Sequence, residues 1–141
     1  MSFNVPLHGF GSAGGFEESK DYPGCFFNTV NGATEWLNPP NNVGTEYRTM
    51  ARYKNKPVYE KVINFGAFPN KTTKYVSTGF SGVTEIISFA IIAKQEGFTF
   101  TMTNNGTDTR YYLDQNYKNV CLYSDQDLSA LTGMVFIKYI K

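Results

Sequence analysis

From residue 46 to the end of the chain, short runs of alternating apolar and polar residues are cut at close spacing by turn signals. Only one stretch in that span reads as a helix candidate, with barely two turns between its start and stop signals. "TEYRTMARYKNKPVYEKVINFG" alternates about a Lys54-Asn55-Lys56-Pro57 turn. Tyr47, Thr49, Ala51 and Tyr53 point one way and Arg48, Met50, Arg52 and Lys54 the other, which predicts a hairpin with one wet face. "TKYVSTGF", "TEIISFAIIAKQ", "GFTFTMT", "TRYYLDQ", "NVCLYS" and "GMVFIKYI" follow, separated by Pro69-Asn70, Ser81-Gly82, Glu96-Gly97, Asn104-Asn105-Gly106 and Gly133. Strands this short and evenly spaced predict an all-β fold, an antiparallel β-sandwich of jelly-roll-like type. The 10 Tyr and 12 Phe, set among 13 Gly and 6 Pro, suit pleated half-buried strands joined by turns.

The helical candidate is "SDQDLSALTG", with Ser124 as a possible N-cap and Gly133 as a stop, a single turn or loop fitting equally well. "IISFAIIA" stands apart from its neighbours because it is apolar on both faces, Ile87, Phe89 and Ile91 on one and Ile86, Ala90 and Ile92 on the other. That suits a central strand covered on both sides, or a strand with one face in a subunit interface. Residues 1–24 are rich in Gly, Ser and acidic side chains and show no sustained period, which predicts an irregular, extended connector. Asn31-Gly32 signals a turn, and Pro39-Pro40 ends any regular element. The chain therefore divides into a connecting segment over 1–40 and a sandwich over 41–141.

Most chemistry is poorly served by this sequence. The 13 basic and 12 acidic side chains nearly cancel, so no nucleic-acid partner is expected. Gly9-Phe10-Gly11-Ser12-Ala13-Gly14 matches the dinucleotide spacing G-x-G-x-x-G, but neither the strand before it nor the helix after it that would converge amides on a pyrophosphate can be read, and no cofactor is expected. The one imidazole, His8, lies in the N-terminal segment, which leaves a Ser/His/Asp or Cys/His nucleophile without its base. Cys25 and Cys121 are too few and too distant for a disulfide framework or a zinc site, and read as buried free thiols. No metal site is expected; Asp125 and Asp127, two apart, read as turn residues. Glu60 and Glu85 could in principle face each other across a sugar as glycosidase carboxylates do, though twelve scattered carboxylates offer such pairs by chance. The triplets Asn70-Lys71-Thr72 and Asn105-Gly106-Thr107 read as chance matches to a glycosylation signal. The start of the chain lacks the basic and long apolar runs of a signal peptide, and no apolar run approaches a membrane span, so no membrane insertion is expected.

One segment gathers the side chains that sugars require. In "NNGTDTRYYLDQNYKN", Asn104, Asn105, Asp108, Arg110, Tyr112, Asp114, Asn116 and Tyr117 combine planar acceptors, forked donors and aromatic rings. Alternation puts Arg110, Tyr112 and Asp114 on one face and Tyr111 and Leu113 on the other, so Tyr111 belongs to the core and Tyr112 to the surface. An ordinary strand with a solvated polar face has the same pattern.

The run "EWLNPPNNVGTEYRTMARYKNKPVYEKVINFGAFPN" resembles the C-terminal receptor-binding heads of tail fibre and baseplate proteins of bacteriophages and prophages. Trp36 with Asn38-Pro39-Pro40, Glu46 to Thr49, Lys56 to Tyr59, and Gly66 with Pro69-Asn70 carry the likeness, and the ending "SALTGMVFIKYIK" is similar to the last strand of those heads. It spans roughly residues 35–141, and residues 97–128 depart most from the pattern. The resemblance implies a β-sandwich head, usually a homotrimer, at a fibre tip in the virion tail. Such a head is made in the host cytoplasm, acts outside the cell and binds a bacterial surface polysaccharide or protein without catalysis. A structural tail subunit that touches no receptor and a small polysaccharide depolymerase are the alternatives. Trp36, inside the shared segment, reads as a packing residue before a sugar-stacking one.

Overall fold

The computed structural model describes residues 3–6, 15–104 and 108–141. Its strands are β1 (Phe3–Pro6), β2 (Phe16–Ser19), β3 (Cys25–Asn28), β4 (Thr34–Trp36), β5 (Glu46–Tyr53), β6 (Lys56–Ala67), β7 (Thr73–Ser77), β8 (Glu85–Gln95), β9 (Phe98–Thr101), β10 (Thr109–Leu113), β11 (Asn119–Ser124) and β12 (Thr132–Ile140). They form two sheets, one of order β1-β2-β3-β4-β5-β6-β12-β8-β9 and one of order β10-β11-β7. Pairing is antiparallel throughout except for a single parallel rung, Trp36 opposite Thr49, that joins β4 to β5. The fold is an all-β sandwich.

Local chemistry sets the hairpins. Lys54 and Asn55 both lie at positive φ, 50° and 62°, between the paired Tyr53 and Lys56. A two-residue turn of this hand matches the twist of the strands it joins. The turn is thus Lys54-Asn55, and Lys56 and Pro57 already belong to β6.

The core fills the space between the sheets. Ile91 and Ala93 of β8, Val135, Ile137 and Tyr139 of β12, and Ile63 and Phe65 of β6 face Val120 and Leu122 of β11, with Val76, Tyr111 and Leu113 packed alongside. Each large apolar side chain fully buried here contributes about 1.5–3 kcal/mol of transfer free energy. Tyr139 is the polar exception. It stacks on Tyr59 at 5.8 Å and donates its hydroxyl to Glu46 Oε2; burial first, then Glu46, push its pKa up and keep the phenol protonated.

Several expectations need correcting. The stretch Ser124 to Gly133 takes the turn-or-loop reading and not the helical one: β11 ends at Ser124, a tight turn is closed by Leu131 N–H donating to the Leu128 carbonyl at 2.9 Å, and β12 begins at Thr132. The supposedly irregular connector carries β1 and β2, and β2, β3 and β4 pair in succession. The break at Pro39-Pro40 falls between β4 and β5, yet the sheet continues across it. In β8 the two faces are misassigned at one end. A register shift opposite Lys138 and Tyr139 turns Ile86 into the core and Ile87 outward, leaving Phe89 and Ile91 inside as expected. In β5 the alternation holds for the buried Tyr47 and Thr49 and lapses at the exposed Ala51, beyond the irregular pairing between Arg48 and Arg52. Cys25 and Cys121 are both buried, and no disulfide joins them. His8 and the Gly9 to Gly14 motif lie outside the described residues.

Candidate functional site

The three-stranded sheet presents one face to the core and one outward. Register fixes what stands on the outer face. Arg110 of β10 lies opposite Tyr123 of β11, which lies opposite Thr73 of β7; one step along, Tyr112 lies opposite Cys121, which lies opposite Tyr75. Two tyrosines and an arginine therefore surround a third tyrosine and a thiol. Tyr75 is 61% and Tyr112 44% exposed, whereas Cys121 between them is fully buried. The small thiol forms the floor and the rings the walls.

The electrostatics follow from this crowding. The guanidinium of Arg110 sits 5.0 Å from the Tyr123 ring centroid, a cation–π contact, and among the described residues no carboxylate pairs with it. Its forked donors stay available to a ligand. Burial raises the Tyr112 pKa, and the neighbouring Cys121 and Tyr75 raise it further while Arg110 opposes them. Burial likewise pushes the Cys121 thiol up. Both groups are neutral at physiological pH, so Arg110 carries the fixed charge among these strand residues.

The sequence-selected residues separate into distinct places. Arg110 and Tyr112 share the outer face as alternation predicts, and Tyr111 points inward against Phe89, with ring centroids 5.3 Å apart. Asp114 serves the turn: its oxygens accept from the Asn119 backbone N–H and from Asn119 Nδ2, each at 2.7 Å. Those two bonds hold its carboxyl below the usual range. Asn116 and Tyr117, at φ 64° and 56°, form the tight link beyond it, and Thr78 Oγ1 donates to the Tyr117 carbonyl at 2.6 Å. Asn116 and Tyr117 line a cleft of about 620 Å³ with Phe80, Val83 and Lys118, at the end of the sheet. Asn104 serves as a substitute strand for the β10 edge, its Oδ1 accepting from the Tyr111 N–H at 2.7 Å. The Asp108 carbonyl accepts from the Asp125 N–H at 3.0 Å. Asn105 lies outside the described residues. The outer face thus keeps Arg110 and Tyr112 from the sequence selection and adds Tyr75 and Tyr123, which alternation in "TKYVS" and "NVCLYS" could have supplied had the pairing of those strands been legible.

Other chemistry finds different surroundings. Glu85 pairs with Lys54 at 2.8 Å and Glu60 with Lys138 at 3.3 Å. The Lys54 hydrogen bond holds Glu85 below its ordinary pKa, the opposite of what a general acid needs. Asp127 accepts from the Ser129 N–H and hydroxyl at 2.9 and 2.6 Å, an Asx-type turn. Among the described residues no three His, Cys, Asp or Glu gather as metal ligands would. No family model, curated protein or solved structure matches the chain.

Proposed function

We propose that this chain is a non-catalytic receptor-binding head of the kind found at phage tail fibre tips, and that it attaches to a bacterial surface glycan through the outer face of its three-stranded sheet. The observation that carries the reading is the cluster of Tyr75, Tyr112 and Tyr123 with an uncompensated Arg110 on a rigid, register-fixed surface. Sugar rings stack their apolar faces on such walls, and a guanidinium grips ring hydroxyls or an acidic substituent. The likeness of residues 35–141 to fibre heads supports the same class of partner. A homotrimer accords with the apolar stretch on the other side of the large sheet, where Phe136 and Ile87 stay exposed beside half-buried Ala90, Ile92 and Met134. Burying that patch against copies of the chain would remove it from water.

The test is retention of the purified chain on immobilised cell-wall polysaccharides from a panel of bacteria, with light scattering to give its mass. Tyr112→Ala and Tyr75→Ala, both exposed and expected to fold, should each weaken binding about ten- to a hundred-fold per site. Retention unchanged in both variants would remove the outer face from the reading. Release of reducing ends would favour a depolymerase, absence of any retention a structural subunit, and a monomer mass would defeat the trimer.

A further inference from the structure

A second concavity lies where the turn after β2 and the end of β4 meet β5. Local sequence chemistry builds its walls. Tyr22-Pro23-Gly24-Cys25 is a type II turn: Cys25 N–H donates to the Tyr22 carbonyl at 3.0 Å, Pro23 presets the first corner, and Gly24 at φ 80° takes the second, which a side chain would strain. Leu37 N–H then donates to the Gly24 carbonyl at 2.7 Å and ties the turn to the end of β4. Tyr22 is thereby held edge-to-face with Trp36 at 6.2 Å, and Trp36 edge-to-face with the buried Tyr47 at 5.5 Å. From the other side, Asn42 N–H donates to the Tyr47 hydroxyl at 3.2 Å and pins the loop that follows β4. The result is a groove of about 580 Å³ among Tyr22, Pro23, Trp36, Asn38, Asn42 and Tyr47, within the size range of ligand sites.

Three properties fix what would fit. The lining holds no Asp, Glu, Lys, Arg or His, so an ionic ligand meets no counter-charge. Neither tyrosine stacks parallel on the indole. Among the described residues, the carboxamides of Asn38 and Asn42 and the indole N–H of Trp36 have no hydrogen-bond partner. A pyranose answers all three: an apolar face for the rings, and hydroxyls that both donate to and accept from the amides. A polyproline segment suits aromatic grooves and can accept from the amides and the indole but donates nothing back, whereas a pyranose hydroxyl does both.

We infer that this groove is a second glycan site, selective for an uncharged pyranose and separate from the Arg110-bearing face. The chain has a single Trp, so its emission reports on this groove alone. The full chain is titrated with maltotriose, galactotriose and chitotriose, with circular dichroism confirming that each variant folds. At least one sugar should change Trp36 emission saturably. The affinity should fall about ten-fold in Tyr22→Ala and in Asn38→Ala and stay unchanged in Tyr112→Ala. Emission indifferent to all three sugars, a response that survives both groove variants or vanishes in Tyr112→Ala, or a response to a polyproline peptide alone would overturn the inference. Failure of the outer-face reading looks different: lost polysaccharide retention with the emission titration intact.

Discussion

The β6-β12-β8 part of the large sheet and the β2-β3-β4 part are built from the same kind of strand but are held in place by different forces. β12 pairs along almost its whole length with both neighbours, and its inward side chains, Val135, Ile137 and Tyr139, are essentially buried beneath the smaller sheet. β4 reaches β5 through one parallel rung and a single ring contact, Trp36 on Tyr47. Beside that rung the fully buried Glu35 accepts from Arg48 Nε at 3.1 Å and Arg52 Nη2 at 2.8 Å, while its Oε2 has no partner among the described residues. Apolar closure is cumulative and tolerant of direction; a polar fastening is sparse and depends on a few atoms. One sheet can therefore contain regions of very different stability.

The largest expected effect is in the apolar region. Ile137→Ala should destabilise the sandwich by about 2–5 kcal/mol, read as a shifted denaturation midpoint. A loss under about 1 kcal/mol would mean that this core collapses to fill the void and is not the rigid half of the comparison. Next is the fastening. Glu35→Gln keeps the shape and removes the charge, and since Arg48 and Arg52 reach solvent in part, the cost should be about 1–2 kcal/mol and confined to residues 16–36. Amide exchange should quicken there while Val135 to Tyr139 stay protected. Equal loosening of both regions would show one cooperative unit and break the distinction.

A smaller effect asks whether polar fastenings act locally even within the sandwich. The Asp114 carboxyl is depressed by its bonds from Asn119, so its contribution is fully present above the unfolded value near about 3.9 and is lost as pH falls through the folded one. The β10–β11 turn should hold from pH about 7 to about 5 and loosen only below about 4. Asp114→Ala should cost about 1 kcal/mol at neutral pH and abolish that acid sensitivity. Protection at Asn119, taken relative to the intrinsic exchange rate at each pH, that stays constant down to pH about 2 would assign the turn's order to Asn116 and Tyr117 instead.

What could be read in the sequence followed a consistent physical line. Alternation is a property of one strand, so Tyr111 and Tyr112 were separable by inspection, as were Tyr47 and Thr49 from Arg48. Register is a property of two strands. The shift that turns Ile87 outward is a bulge in the pairing of β8 with β12, and nothing in "EIISFAIIA" announces it. The same reason hid Tyr75 and Tyr123, which reach the site only because β11 pairs between β7 and β10. The short strands β2 and β4 escaped notice because strands of three or four residues carry almost no period and take their order from neighbours. The turn at Tyr22-Pro23-Gly24-Cys25 was different, since its Pro-Gly corner is a local signal that could have marked the groove.

The single rung between Trp36 and Thr49 has a mechanical meaning. If the two ends of the chain are pulled apart, what holds β4 to β5 is that one pair, the Glu35–arginine contacts beside it and the Trp36–Tyr47 ring contact. In series, the weakest joint sets the force at which anything gives. The N-terminal strands would detach first and lengthen the chain, while the sandwich, and the tyrosine face it carries, stayed whole under the relieved tension.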